Sequence, residues 1–436
     1  MADTIAALAS GRPPAALAVI RLSGPAAFTA VTALAGRLPP PRRLSLCRLT
    51  EAGALLDEAL VAIFPGPNSA SGEDLAEFHL HGGPAVVAGV LAALTSQPGI
   101  RLAEPGEYTR RAFANGRMDL AQVEGLADLV AAETASQRDQ ALALAGGALG
   151  RLADAWRSRC LDILAEAEAG LDFAEDEADV AERLDEAARE QLLAMAAELD
   201  QLLVDSARAA RIRDGLTIAV TGAPNVGKSS LVNALSMRDA AIVTAIAGTT
   251  RDTIEVPVDL GGVAAVLIDT AGLRDTDDPI EAEGIARARQ RAAAADLIIS
   301  VASADAPHWP EPEPAPAPPH SLRLLNKADL AAPPLPAGAL AVSTLTGAGM
   351  PALRDWLSHF AQSTTRPGEP ALLSHARHRA AFADAHLALI DAAHALEPVL
   401  RTESLRLAAH AFARIAGRIG VDDVLDRIFS RFCIGK

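Results

Sequence analysis

The chain has 436 residues, 50% of them hydrophobic and 22% charged, with a formal net charge of −16. That acidity argues against a chain-wide electrostatic footprint for nucleic acid, and 3% aromatic residues leave little for stacked recognition of single strands. Cys47, Cys160 and Cys433 form neither a disulfide framework nor a metal-ligand cluster, no secretory signal pattern opens the chain, and Arg or Asp interrupts every long apolar stretch. A cytoplasmic protein of about three domains is expected.

Residues 1–117 alternate short apolar runs (Ala16–Leu22, Leu60–Phe64, Ala76–Leu80) with Gly/Pro turns, which predicts an α+β domain. From Asp119 to about Ala210 the chain is alanine- and leucine-rich with charges at helical spacing. The acidic string Asp172–Asp179 reads as a solvated helix face. Leu216–Thr221 then reads as a strand and opens an α/β block that lasts to about Phe360. The proline-rich segment Ala306–Pro319 interrupts that block as an extended surface loop. Residues 372–432 return to helix, with Ile415, Ile419, Leu425, Ile428 and Phe432 as one buried stripe. Helix on both sides of an α/β block predicts that the block is inserted into a single helical domain. The expected division is 1–117, an N-terminal α+β domain; 118–210, the first helical part; 211–365, the α/β domain; and 366–436, the second helical part.

Only three lysines occur, against 36 arginines. Lys228 lies in Gly222-Ala-Pro-Asn-Val-Gly-Lys-Ser229, Lys327 in Asn326-Lys-Ala-Asp329, and Lys436 in Cys433-Ile-Gly-Lys436. Lysine differs from arginine where a compact ammonium must fit a phosphate cradle or a narrow slot, so these positions are candidates for chemistry.

Gly222–Ser229 matches G-x-x-x-x-G-K-[ST] between an expected strand and an expected helix, the context a phosphate loop requires. Backbone amides would cradle phosphates, Lys228 would reach the β and γ groups, and Ser229 would ligate Mg²⁺. Three further signals accompany it. Leu267-Ile-Asp-Thr-Ala-Gly272 ends a buried strand at a metal-side Asp269. Thr249 and Thr250 offer a switch hydroxyl. Asn326–Asp329 follows another strand, and its aspartate suits the guanine edge and not adenine. The combination specifies a GTPase domain. Ras-like enzymes place a water-orienting glutamine just after D-x-x-G, and here that position is Leu273. Asn225, with carbonyls of Thr244-Ala-Ile-Ala-Gly-Thr249, offers a site for a monovalent cation in its stead.

At this point the chain resembles the MnmE/TrmE family of tRNA-modification GTPases. The resemblance runs from Asp3-Thr-Ile5 and Ile20-Arg-Leu-Ser-Gly24 through Gly72-Glu-Asp74, His81-Gly-Gly83, Pro105-Gly-Glu107, Arg111-Ala-Phe113 and Asp119-Leu-Ala-Gln122 to the terminal C-I-G-K. It implies an N-terminal α+β folate-binding-like domain that dimerises, an all-α helical domain and an inserted Ras-like P-loop G domain. It also implies K⁺ on Asn225, Thr244, Ile246 and Thr249, and Mg²⁺ on Ser229 and Thr250. The water-orienting carboxylate would be Glu281. GTP would be contacted by Asn225, Val226, Gly227, Lys228, Ser229 and Ser230. It would meet Thr244, Ala245, Ile246, Ala247, Gly248, Thr249 and Thr250 in the following loop, then Asp269, Thr270, Ala271 and Gly272. The base would meet Asn326, Lys327, Ala328 and Asp329, with Ser343, Thr344 and Leu345 beyond. A reduced folate (5-formyl- or methylene-tetrahydrofolate) would meet Arg21, Glu77, Arg117 and Lys436.

The same resemblance implies K⁺-dependent GTP hydrolysis coupled to C5 modification of the wobble uridine at tRNA position 34. A homodimer working with a flavoprotein of the MnmG/GidA type would perform it, as a heterotetramer. Gly11-Arg-Pro-Pro-Ala-Ala16 departs from the family pattern by lacking its extra glycines. Cys433 is either a reactive thiol or a packed residue. The alternative function is a GTP-regulated ribosome-assembly factor of the Era/Der kind, which shares the Asn-containing phosphate loop but not the C-I-G-K tail.

Overall fold

The alternation of apolar and polar residues in Leu17–Ser23 buries Ala18, Ile20 and Leu22 on one face and turns Arg21 to the other. This strand is one of twelve, with eleven helices, among the residues described by the computed structural model: 3–173, 178–236, 255–269, 292–308, 320–330, 334–366, 371–417 and 435. The chain forms two compact units, one from Met1–Ala127, Leu144–Asp185 and Ala395–Lys436, the other from Asp128–Ala143 and Glu186–His394.

In the first unit, β1 (Thr4–Leu8), β2 (Leu17–Ser23), β3 (Ser45–Glu51), β4 (Ala54–Phe64), β5 (Leu75–His81) and β6 (Ile100–Leu102) form a sheet in the order β3-β4-β5-β2-β1-β6. The pairs are antiparallel except β1 with β6. Helices α1 (Ala27–Ala35) and α2 (Pro84–Thr95) cover one face, where Val31, Leu34, Val90 and Leu94 join Ile20, Leu22, Phe78 and Leu80 in the core. On the opposite face α3 (Glu107–Ala114) brings Tyr108 against Ile5 and Ala7.

The helices α4 (Leu120–Ala131), α5 (Ala135–Ala145), α6 (Ala148–Phe173) and α7 (Ala178–Asp214) follow, as the sequence leads one to expect. Beyond the α/β block come α10 (Ala376–His394) and α11 (Pro398–Ala413), preceded by α9 (Met350–Thr365) within it. α11 lies along α6, with Phe412 stacked on Trp156 at 6.1 Å and Arg406 on Glu168 at 2.8 Å. Segments on either side of the α/β block thus share one core, and the insertion expected from the sequence is present. Ile415 is fully buried; Ile419, Leu425, Ile428 and Phe432 lie outside the described residues.

The block itself contains β7 (Leu216–Gly222), α8 (Lys228–Ser236), β8 (Glu255–Asp259), β9 (Ala264–Asp269), β10 (Leu297–Ser303), β11 (Ser321–Asn326) and β12 (Leu340–Ala341). Its sheet order is β12-β11-β10-β7-β9-β8, parallel except for the β8–β9 pair. β7 therefore sits centrally, flanked by β10 on one side and β9 on the other. In such sheets the crevice outside the carboxyl ends of the strands, where the strand order reverses, is where a ligand binds. Both Gly222 and Asp269 end their strands there.

Candidate functional site

The loop between β7 and α8 wraps because three of its residues take positive φ: Gly222 at 151°, Asn225 at 63° and Gly227 at 94°. Asparagine is among the few side-chain-bearing residues that tolerate the left-handed region, so Asn225 keeps an exposed amide at the loop's crest. A Cβ on Gly227 would lie 2.3 Å from Asn326 Nδ2, so this position also admits only glycine. Val226 is buried and fixes the loop into the core.

Lys228 is buried, and its ammonium donates to the Gly222 and Ala223 carbonyls at 2.8 and 2.9 Å. Burial pulls its pKa below the usual lysine value, against the opposing pull of Asp269. The Ser229 hydroxyl donates to Asp269 Oδ2 at 2.6 Å, so an oxygen from the first turn of α8 and one from the end of β9 meet at the mouth of the loop. Such a pair suits a hard divalent cation.

The second string assembles at the end of β11, which β10 separates from β7 in the sheet. Asn326 is buried, donates to the Val226 carbonyl at 3.0 Å, and accepts from the Thr344 amide at 3.3 Å. Asp329 accepts the Ser343 hydroxyl, and Ser343 in turn accepts the Thr346 amide at 3.1 Å. Ala328 is tied to this loop through its amide, which donates to the Val342 carbonyl at 3.1 Å. Leu345 is 85% exposed beside these groups. The structure thus joins the phosphate loop, Asn326–Asp329 and Ser343–Leu345 into one continuous edge. Thr244, Ala245, Ile246, Ala247, Gly248, Thr249, Thr250, Thr270, Ala271, Gly272 and Glu281 lie outside the described residues.

On the N-terminal sheet, Arg21 and Glu77 are register partners on β2 and β5. The Arg21 guanidinium donates to Glu77 Oε1 at 2.8 and 3.1 Å. Glu77 Oε2 lies 3.3 Å from His79 Nε2, a residue the sequence reading missed although its spacing of two in a strand puts it on the Glu77 face. Tyr108, the only tyrosine, donates to the Arg21 carbonyl at 2.5 Å, and burial pushes its pKa up.

Arg111 bridges Asp3 at 2.9 Å, Glu107 at 3.0 Å and Glu73 at 3.1 Å, while Ser23 donates to Glu73 at 2.7 Å. The Arg101 guanidinium, and Arg111 after it, hold the Asp3 carboxyl below the usual carboxylate range. Arg117 is exposed beside Gly72 and Asn115. Gly435 is buried at φ 101°, where a Cβ would lie 2.2 Å from the Leu8 carbonyl. Leu8 pairs with Ile20, the neighbour of Arg21, so the chain's penultimate residue reaches the strand that borders this polar face. Cys433 and Lys436 themselves lie outside the described residues.

Cys47 and Cys160 are buried, and burial pushes the Cys160 thiol up to about 12, so neither resembles a reactive thiol. No helix among the described residues is long and apolar enough to cross a membrane.

Comparison with known proteins bears on all these parts. Residues 4–117 match the family described as GTP-binding protein TrmE N-terminus, and residues 120–433 match the MnmE helical domain. The tRNA modification GTPase MnmE of Methylobacterium radiotolerans is 51% identical over 442 residues, covering 100% of this chain and 99% of its own length. That of Rhodospirillum rubrum is 50% identical over 454 residues, with 100% and 99% covered. Among solved structures, the G domain of the T. maritima FeoB iron transporter aligns with 34% of this chain and 99% of its own, at 26% identity and a TM-score of 0.24. Identity spread end to end over phosphate loop, helical domain and N-terminal sheet alike leaves one assignment: the chain belongs to the MnmE family of tRNA modification GTPases.

Proposed function

We propose that this chain hydrolyses GTP in a K⁺-dependent manner and couples the cycle to C5 modification of the wobble uridine, position 34, of tRNA. The added group is of the carboxymethylaminomethyl or aminomethyl type, with a reduced folate as one-carbon donor and a flavoprotein of the MnmG/GidA type as partner. The protein works in the cytoplasm as a homodimer. The proposed division is 1–117, 118–210, 211–365 and 366–436, with the G domain third.

The observation that carries this reading is the joining of the Lys228–Ser229 loop to the Asn326–Asp329 edge through Asn326 and Val226. Phosphate oxygens replace the Gly222 and Ala223 carbonyls as acceptors for Lys228. Ser229 and Asp269 suit Mg²⁺, Ser229 as a ligand together with Thr250 and Asp269 beside them, and the ion when bound neutralises charge on the β and γ phosphates. Asn225 presents an amide oxygen beside the same phosphates, which suits K⁺; Thr244, Ile246 and Thr249 complete that set. Glu281 orients water in the role that Leu273 cannot fill. Asp329, held by Ser343, accepts the guanine N–H groups.

The N-terminal polar face suits the folate. Arg21 matches a glutamate carboxylate and Glu77 matches the donor edge of a pterin. Arg117 adds positive charge, and the seat of Gly435 on β1 supports bringing Cys433 and Lys436 to the same domain. The test is nucleoside analysis of tRNA from a deletion strain. Loss of the wobble-uridine modification, restored by the full chain and not by Lys228→Ala, is expected. Normal modification in the deletion strain would overturn the reading.

A further inference from the structure

Lys327 is one of three lysines in the chain, and its backbone sits at φ 59°, a sparsely populated region for a long side chain. Backbone held in such a conformation persists only where its surroundings over-determine it. Those surroundings are visible. The Ala304 amide donates to the Asn326 carbonyl at 2.9 Å, and the Leu330 amide donates to the Lys327 carbonyl at 3.0 Å, so the turn is pinned on both sides of the lysine. β10 and β11 run parallel with Ser303 opposite Asn326, which puts the segment after β10 beside the segment after β11. Asp305 lies in that segment. Its Oδ2 is 3.3 Å from Lys327 Nζ, and its Oδ1 accepts the Ser303 hydroxyl. Ser303 is buried, so the hydroxyl that orients the carboxylate is itself fixed by the core.

We propose that Asp305 is a positioning residue for guanine-nucleotide binding: held by Ser303, it anchors the Lys327 ammonium so that the lysine's aliphatic stem is fixed along the base edge made by Asn326–Asp329. The inference rests on the reading of that edge as the guanine site. The chemistry explains the residue choice. A point-like ammonium on a four-carbon stem satisfies one carboxylate at its tip and leaves an apolar stem free to cover a planar ring, whereas a guanidinium would carry its planar fork into the slot. A chain that uses arginine almost everywhere keeps lysine here for that reason. The Asp305 carboxyl is held below the usual carboxylate range, first by the Ser303 hydroxyl and, against a desolvation that opposes it, also by Lys327. It is therefore charged throughout the neutral range and available as an anchor. Without it, the lysine side chain regains rotamer freedom that nucleotide binding must then remove.

The test is calorimetric titration of GDP into the full chain, with Asp305→Asn, Lys327→Ala and the double variant. Asp305→Asn is expected to raise the GDP Kd about two- to fivefold, the range open to a solvent-facing ion pair. In the Lys327→Ala background the same substitution is expected to change nothing, because its effect travels through the lysine. Asp305→Glu, which keeps the charge, is expected to recover most of the affinity. An unchanged Kd for Asp305→Asn, or an equal loss with and without Lys327, would overturn the proposal. An ADP titration of the wild type separates the two levels of inference: equal affinity for ADP and GDP would overturn the guanine-site reading itself.

Discussion

Asn326 and Val226, a hundred residues apart in sequence, are joined by a 3.0 Å hydrogen bond from the buried side-chain amide to the phosphate-loop carbonyl. The same side chain accepts the Thr344 amide, so one asparagine holds two loops at once. Replacing Asn326 with Ala leaves a carbonyl and an amide unmatched in a buried place, each loss costing about 1–3 kcal/mol. Urea unfolding should show the G domain destabilised by that order, and GDP affinity should fall alongside it.

Asn225, exposed at the crest of the phosphate loop, is the residue proposed to offer K⁺ its amide oxygen. Hydrolysis should be much faster in K⁺ than in Na⁺, and Asn225→Ala should erase the difference while GDP binding stays largely intact. Equal wild-type rates in the two salts would refute the K⁺ site.

Glu281 is expected to act mainly in the transition state, by aligning water. Glu281→Ala should lower kcat with little change in GTP affinity, and Glu283→Ala should be mild. A severe Glu283 variant beside a mild Glu281 variant would move the role by two residues.

Gly435 fits against Leu8 only without a side chain. Gly435→Ala adds both a clash and a left-handed alanine, together enough to displace the tail. Wobble-uridine modification should fall about tenfold or more, as expected for strain of this kind, while GTPase activity stays near wild type. Removing Cys433–Lys436 should abolish modification with the same sparing of hydrolysis.

Asp128 titrates below the usual carboxylate range. Burial by itself would raise it, but the bond from His375 at 2.7 Å and the charge of Arg213 at 3.1 Å outweigh that. A carboxylate depressed in the fold contributes stability above its unfolded value of about 3.9, and that contribution is lost as pH falls through the depressed folded value. Asp128→Asn should lower thermal stability at neutral pH and flatten the acid limb of the stability curve. A variant whose acid limb matches wild type would contradict this.

Of the candidate nucleotide site, the loop Gly222–Ser229 and the turn Asn326–Asp329 were legible because each is carried by one contiguous string with its own backbone requirements. The insertion was legible from helical spacing on both sides of the block. The Asp3–Arg111–Glu73–Glu107 cluster was not, because its members come from β1's approach, α3 and the loop before β5, and only the sheet brings them together. His375 with Asp128 is the same case, with partners 247 residues apart. β3 does not stand out in the sequence because Leu46, 64% exposed, lies on the face opposite buried Cys47 and Leu49, so its apolar residues do not mark one face. Asp305 carries no motif at all, and only the register of β10 against β11 places it.

The contact of Trp156 with Phe412 also sets an order of events on the ribosome. The N-terminal sheet has all its strands once Leu102 has emerged, and the strands around β7 are complete by Ala341. The face of α6 that carries Trp156 must wait for α11, more than two hundred residues later. During synthesis the GTPase module can therefore close its own core while the helical core beside it in sequence is still half-built, and contacts of such long range form slowly. Nascent chains arrested shortly after residue 394 should resist protease across the nucleotide site and be cut within Ala148–Phe173.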